Sequence, residues 1–155
     1  MQTIDELVEE IDVFRGLPHE HLDLIAGCGL NRVFGAGEQL LREGEPANDF
    51  FAIRHGTVAL ETFVPQRGAV TIETLHGGDV LGWSWLVPPH RTMFDARALG
   101  VVRTIEFDGA CLRGKCEQDQ RLGYELMKRF AAVIVERLQA TRLRMLDVYG
   151  QVPGR

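Results

Sequence analysis

Between residues 30 and 107 the sequence is a series of short apolar runs separated by glycine, proline and polar residues. Runs of this length, with turn residues at near-regular intervals, are typical of short strands in an antiparallel all-β unit. We therefore expect an antiparallel β-roll whose interior is either filled by side chains or open to a ligand. The predicted strands are 31–34, 38–42, 50–54, 57–64, 69–75, 92–99 and 101–107.

Helical patterns flank this β region on both sides. At the N-terminal side, Thr3 and Glu6 have the spacing of a capping box, and Leu7, Val8, Ile11 and Phe14 follow at helical spacing. Pro18 suits the first turn of a second short helix. After Asp108, which suits an N-cap, a helical turn leads into a long helix from about 119 to 147. The 155 residues therefore predict one domain: N-terminal helices (1–29), the roll (30–107) and a C-terminal helical segment (108–148).

The long helix carries two apolar stripes. One has the alternating spacing of four and three that is typical of a coiled-coil seam, and the other lies on the N-terminal half of the helix. Because two stripes need two partners, we expect one to pack on the roll and the seam to form a homodimer; the alternative is that the seam also packs on its own roll. The seam comprises Met127, Ala131, Ile134, Leu138, Thr141, Met145 and Val148, and the second stripe Leu122, Leu126, Phe130 and Val133.

The charge and composition of the chain argue against several classes of protein. A net charge of -5 argues against a dedicated nucleic-acid binder, which needs clustered Lys and Arg. No stretch approaches the roughly 18 consecutive apolar residues of a membrane span, and the start has no signal-peptide pattern, so we expect a cytoplasmic protein that does not bind membranes. Cys28, Cys111 and Cys116 form neither a Cys-x-x-Cys pair nor a zinc pattern, and we expect reduced thiols.

Four motifs in order carry a family resemblance. They are Gly-Ala-Gly-Glu (35–38), Glu-Gly-Glu-Pro (43–46), Phe-Phe-Ala-Ile-Arg-His-Gly (50–56) and Leu-His-Gly-Gly-Asp-Val-Leu-Gly (75–82). They resemble the turns and strands of cyclic nucleotide-binding domains, and the chain from about 14 to 147 is similar to the sensor half of catabolite-activator-type regulators. The resemblance implies a β-roll of the double-stranded β-helix type, a regulatory role, cyclic AMP or cyclic GMP as the candidate ligand, and no other cofactor.

In that family a phosphate-binding cassette begins with a Gly-Glu pair and ends with an Arg beside Ser, Thr or Ala. Here Gly82 would let the backbone approach an anion, and Arg91 with Thr92 would complete the phosphate contact; the alternative for Arg91 is an ordinary surface arginine. Trp83 stands where the family's Glu accepts a hydrogen bond from the ribose, and an indole only donates. Losing that acceptor costs about 1–3 kcal/mol, which is roughly 10- to 100-fold in affinity, although Ser84 could accept instead.

On the long helix, Thr141 matches the family's base-contacting Thr, but Arg142 stands where a Ser of the partner subunit would reach the ligand. A Thr that the seam merely tolerates is the alternative. Only residues 149–155 follow the helix, where the family's DNA-binding domain would begin, so we expect a stand-alone sensor that signals to another protein.

Three classes of function stay open. The first is a cyclic nucleotide sensor. The second is a degenerate module whose pocket is filled by Trp83 and Trp85 and which acts in dimerisation or protein interaction. The third, a cupin-like metalloenzyme, needs a His-x-His pair inside the roll, but His19 and His21 fall in the N-terminal helical region. We therefore expect neither a catalytic residue nor a metal ligand.

Overall fold

The strands form two four-stranded antiparallel sheets that face each other as a β-roll. A computed structural model describes the backbone of residues 1–150 and the side chains of residues 1–147. The strand order is β1-β8-β3-β6 in the first sheet and β2-β7-β4-β5 in the second, which confirms the predicted fold class. The strands are β1 (Gly29–Phe34), β2 (Gln39–Leu41), β3 (Asp49–His55), β4 (Val58–Val64), β5 (Gly68–Leu75), β6 (Val80–Leu81), β7 (Asp95–Ala98) and β8 (Val102–Asp108).

Two of these strands differ from the sequence prediction. The two-residue strand β6 pairs with β3 through Leu81 opposite Phe51 and lies between 75 and 92, where we predicted no strand. Strand β7 begins at Asp95, three residues after the predicted start, because Thr92 instead bonds to the 44–47 turn. Both differences come from pairing between residues that are distant in sequence, which the local alternation of apolar and polar residues cannot predict.

The helices are α1 (Ile4–Glu9), α2 (His19–Ala26), α3 (Gly109–Gln118) and α4 (Gln120–Gly150). The predicted capping box is present, since the Glu6 amide donates to the Thr3 hydroxyl and the Glu6 carboxylate accepts from the Thr3 amide. Asp108 caps α3 as expected, by accepting from the Cys111 amide. The single helix predicted through Phe14 is wrong: a separate 3-10 turn, Asp12–Phe14, follows an extended Ile11. Buried residues three apart suit either kind of helix, so the spacing could not distinguish them.

Two hydrophobic cores lie on opposite faces of the first sheet. The roll core, between the two sheets, contains Phe51, Leu60, Phe94 and their neighbours. The helix-side core lies between the first sheet and the helices, and its centre is Phe50, whose ring stacks on Phe107 at 4.7 Å and meets Phe130 edge to face. Successive residues Phe50 and Phe51 therefore serve different cores, as the alternation of a strand requires.

The buried apolar side chains that anchor helix α4 lie along its first third. Leu122, Leu126 and Phe130 are buried in the helix-side core, as expected of the second stripe. Beyond residue 130, two arginines connect the helix to the strands: Arg137 donates to the Val80 carbonyl and Arg144 to the Ile72 carbonyl. The seam residues Met127, Ala131, Leu138, Thr141 and Met145 are exposed, Ile134 is half-buried, and the Val148 side chain lies outside the described residues.

A disulfide joins Cys28 to Cys111, so the expectation of reduced thiols is wrong for these two residues. Cys28 directly precedes β1 and Cys111 lies in the first turn after β8, and the two strands pair with Gly29 opposite Phe107. The sheet register therefore brings together cysteines that are 83 positions apart. Cys116 is free. The bond ties the end of α2 to α3, the helix that precedes α4.

Two polar contacts reinforce the same connection between the N-terminal helices and the α3–α4 junction. Lys115 donates to the Leu24 carbonyl at 2.7 Å, and the buried His21 lies 3.2 Å from Asp119, measured from Nε2 to Oδ2. Asp119 also accepts hydrogen bonds from the first amides of α4, which lower the pKa of its carboxyl. The start of α4 is thus held firmly, whereas its C-terminal half is not.

Candidate functional site

The candidate cassette, residues 82–92, lies between β6 and β7. It leaves β6 at Gly82, whose φ of +94° lies in the left-handed region that L side chains rarely adopt. A Cβ at this position would still be 3.5 Å from the nearest side-chain atom, which belongs to Phe50. The glycine is therefore required by its backbone conformation and not by crowding. Ser84, one of the candidate ligand residues, is half-buried in the first turn of the segment.

The far end of the cassette is held against the turn at 44–47 by three backbone hydrogen bonds. The Gly44 amide donates to the Thr92 carbonyl at 2.8 Å, the Thr92 amide to the Glu45 carbonyl at 2.9 Å, and the Ala47 amide to the His90 carbonyl at 2.8 Å. These bonds fix the position of the backbone that carries Arg91. Two segments that are distant in sequence thus form one frame.

Arg91 is exposed, and its guanidinium is largely free. Within residues 1–147 it makes one hydrogen bond, from Nη1 to the Gly44 carbonyl at 3.1 Å, and no ion pair. Because a guanidinium carries five N–H donors, most of them are available to an oxyanion. The neighbouring Thr92 is buried, with 6% of its surface exposed. Of these two neighbouring candidate residues, only the charged group of Arg91 faces solvent.

Trp83 lies between the two cores and touches both. Its ring meets Phe94 of the roll core edge to face at 5.9 Å. On the other side, the guanidinium carbon of Arg137 lies 5.2 Å from the ring centroid, a cation–π geometry. At the position where a ribose-binding Glu was expected, this chain has an aromatic ring that connects the cassette to α4.

Trp85 does not fill the roll, which corrects that part of the self-filled pocket hypothesis. It is fully buried in the helix-side core, stacked on Phe50 at 4.7 Å and edge to face with Phe130 at 5.4 Å. Its carbonyl accepts a hydrogen bond from Arg113 of α3. The two tryptophans are two residues apart but have different surroundings. Trp83 is partly buried against both cores, whereas Trp85 is fully buried in the helix-side core.

Thr141 is exposed on α4, and its hydroxyl donates to the Arg137 carbonyl one turn earlier at 2.9 Å. The structure therefore brings Gly82, Trp83, Ser84, Arg91 and Thr92 into one segment. Thr141 lies on α4 outside that segment. It is connected to the segment through Arg137, whose carbonyl accepts the Thr141 hydrogen bond and whose guanidinium lies over the Trp83 ring.

A cavity of about 530 Å³ lies between α4 and the end of β5 and start of β6. Arg137 lines it together with Glu73, Asp79 and Glu136, whereas the cassette residues Arg91 and Thr92 do not. Burial lowers the pKa of the Arg137 guanidinium, and these three carboxylates oppose that shift. Its Nη1 atom is buried and has no hydrogen-bond partner within the described residues. Arg137 is thus a partly desolvated cation at the junction of cassette, strand and helix.

A match to a known protein family agrees with this fold and geometry. The model of the family described as "Cyclic nucleotide-binding domain" matches residues 31–119, which is more than half of the chain. The chain belongs to the cyclic nucleotide-binding domain family. A solved structure described as a cyclic nucleotide-binding protein, from Geobacter metallireducens, is 30% identical with a TM-score of 0.78, and the match covers 89% of this chain and 99% of that one.

Two further proteins are similar to this cyclic nucleotide-binding domain, one in fold and one in sequence. The catabolite activator protein of Thermus thermophilus has the same fold, with 20% identity, a TM-score of 0.69, and coverage of 89% of this chain and 62% of that one. Cyclic nucleotide-gated ion channel 18 of Arabidopsis thaliana is 28% identical over 75% of this chain. The chain spans only 18% of the length of that channel.

The sequence analysis of this cyclic nucleotide-binding domain did not predict that Arg137 contacts Trp83 and the Val80 carbonyl. The available signal was its spacing, since it precedes Thr141 by one helical turn and so shares a face with it. Within residues 1–150 no group of three or more His, Cys, Asp or Glu side chains is arranged to hold a metal ion. In the same part of the chain no helix has the length and apolarity of a membrane span.

Proposed function

We propose that this domain is a regulatory sensor that binds a cyclic nucleotide, or a similar nucleotide-like anion, at the cassette. In this proposal the roll (30–107) binds the ligand and the helical segment (108–148) carries the signal to a second subunit or a partner protein. The observation that carries it is Arg91: an exposed guanidinium with most donors free, on a backbone that is fixed by the 44–47 turn. Gly82, Ser84 and Thr92 support it from the same segment, and Thr141 from α4.

Calorimetry with cyclic AMP and cyclic GMP tests the binding step. We expect heat of binding that disappears in Arg91→Ala and persists in Arg67→Ala, a matched loss of one arginine in the turn between β4 and β5. Equal binding by the two variants, or loss in both, would count against a phosphate contact at Arg91.

A second candidate is a degenerate domain whose pocket is closed by its own side chains. The observation that favours it is the placement of Trp83 against Phe94 and beneath Arg137. Trp83→Glu separates the two functions, since it restores the missing acceptor and gives Arg137 an acidic partner. If the sensor proposal is right, the variant binds a cyclic nucleotide roughly 10- to 100-fold more tightly than the unaltered chain. If the unaltered chain shows no binding heat and Trp83→Glu does, the pocket is closed by Trp83.

The proposed output is a homodimer through the seam of α4. The exposed apolar side chains Met127, Leu138 and Met145 support it, since within residues 1–147 no other element buries them. Leu138→Glu is expected to convert a dimer into a monomer in sedimentation velocity runs at micromolar concentration, while Gln139→Glu, on another face of the helix, keeps the dimer. A single-subunit mass for the unaltered chain would exclude this output.

We also propose that the domain acts in the cytoplasm, and the Cys28–Cys111 bond makes this a point to test. Structural disulfides are rare in the reducing cytosol of most organisms. Trapping thiols with an alkylating agent in intact cells, followed by mass spectrometry, is expected to show whether the two cysteines are oxidised where the protein resides. Complete oxidation in the native cell would argue for an oxidising compartment.

A further inference from the structure

Away from the cassette, a β-bulge places two arginines side by side at the other end of β3. The register between β3 and β8 shifts between Ile53 and His55, so that Ile53 lies opposite Thr104 and His55 lies opposite Arg103. The extra residue of the bulge is Arg54. A bulge sets two residues against one on the neighbouring strand. Arg54 and His55 therefore both flank Arg103.

The backbone around this bulge is tightly enclosed. Gly56, directly after it, has a φ of +100° and lies so close to the Val101 carbonyl that a Cβ atom would clash. A Cβ on Gly77 would be 2.9 Å from the carbonyl oxygen of Arg54. Glycines on both sides thus allow neighbouring backbone to pack closely against the segment that carries Arg54.

The two guanidinium groups lack acidic partners. Both side chains are exposed, and within residues 1–147 neither Arg54 nor Arg103 forms an ion pair. By contrast, Arg32 on the adjacent β1 pairs with Glu106 at 2.7 Å. Like charges opposite each other destabilise a sheet. A chain with a net charge of -5 has ample carboxylates, yet within residues 1–147 none of them forms an ion pair with either of these two cations.

Two small cavities meet at this pair. One, of about 210 Å³, is lined by both arginines with Asn31 and Leu7; the other, of about 270 Å³, is lined by both arginines with Leu7, His55 and Glu10. The Glu10 carboxylate accepts a hydrogen bond from the Gln2 side chain at 2.8 Å. Cavities of this size lie just below the range of about 300–1,000 Å³ that is usual for drug-sized ligands. They suit a small anion with few atoms.

We infer that Arg54 and Arg103 form a second ligand site, on the outer face of the first sheet, for a phosphate or diphosphate group. Two guanidinium forks match the charge of a phosphate dianion and its oxygen geometry. The site is separate from the cassette and does not depend on cyclic nucleotide binding there. Its occupation relieves the repulsion between the two cations and fills the cavities beside α1.

Calorimetric titration with sodium pyrophosphate tests the site. We expect binding that weakens about tenfold or more in Arg54→Ala and in Arg103→Ala, because each loses charged hydrogen bonds. Arg67→Ala, with the same change in net charge, is expected to leave the affinity within about twofold. Arg91→Ala removes any pyrophosphate bound at the cassette and should leave the binding at Arg54 and Arg103 intact, which separates the two sites. Both altered side chains are exposed, so the circular dichroism spectra are expected to match that of the unaltered chain, and the melting temperatures to be equal or slightly higher because one of two like charges is removed.

Three results would overturn the proposal. They are the absence of binding heat, equal weakening in Arg67→Ala, and loss of binding in Arg91→Ala while Arg54→Ala still binds. Succinate serves as a dicarboxylate comparison, and tighter binding of succinate than of pyrophosphate would likewise contradict a phosphate site. The expected affinity falls as sodium chloride is raised from about 20 to 150 mM, since exposed charges are screened.

Discussion

Replacing Arg137 by Met is the sharpest test of how α4 is held on the roll. The substitution removes the guanidinium but keeps an unbranched apolar stem of similar length. It deletes the hydrogen bond to the Val80 carbonyl and the contact with the Trp83 ring, two of the few contacts that hold α4 beyond residue 130. The first third of the helix keeps its buried anchors, so the perturbation is local.

The expected magnitude follows from opposing contributions. A partly desolvated cation–π contact contributes about 1–2 kcal/mol, and a hydrogen bond from a charged donor about 1.5–3 kcal/mol. Against this stands the cost of burying the guanidinium, which is evident in its lowered pKa and in the unpartnered Nη1. We expect a net loss of about 1–2 kcal/mol, which raises the open population of this segment roughly 5- to 30-fold.

Hydrogen exchange with mass spectrometry measures this opening directly. Amides between 131 and 147 are expected to exchange roughly 5- to 30-fold faster in Arg137→Met, whereas those between 120 and 130 change little because Leu122, Leu126 and Phe130 stay buried. Arg142→Met is the control, since Arg142 is exposed on the same stretch of helix. Runs at one fixed concentration keep any dimerisation equal. If Arg137→Met and Arg142→Met give the same exchange, Arg137 does not hold the helix and the reasoning fails.

Three further predictions concern stability. Burial, followed by the charge of Glu106, raises the pKa of Asp49 to about 6. Because the ionised carboxylate is then costlier in the folded chain than in the unfolded one, Asp49→Asn should stabilise by about 1–2 kcal/mol at pH 7, after allowance for partial exposure. Urea titrations should show the gain shrinking below pH 6 and absent below about pH 4; an equal gain at both ends would contradict it. Cys111→Ser should cost about 2–4 kcal/mol under non-reducing conditions, and a reductant should lower the unaltered chain to the level of the variant without affecting the variant. Gly82→Ala should cost about 1–2 kcal/mol in thermal melts, since only the left-handed backbone opposes it; an unchanged melting temperature would refute that cause.

The sequence was most informative where structure is set by neighbouring residues. Strands β3, β4 and β5 lie within one or two residues of their predicted positions, and the capping residues Thr3 and Asp108 do what their spacing indicated. The motif order also identified the family correctly. These features depend on side-chain periodicity, on glycine conformations and on hydrogen bonds a few residues long, all of which are local.

Which residues would meet was decided only by the tertiary structure. The pairing of Cys28 with Cys111 needs the register of β1 on β8, and the separation of Trp83 from Trp85 needs two cores on opposite faces of one sheet. Arg137 contacts Trp83 because α4 passes beside the cassette at that residue. The spacing of apolar residues shows which side of a helix or strand is buried. It does not show which other element covers that side, because the same spacing suits any apolar partner. The fold could therefore be read from the chain alone, whereas the contacts that connect the segment 82–92 to α4 could not.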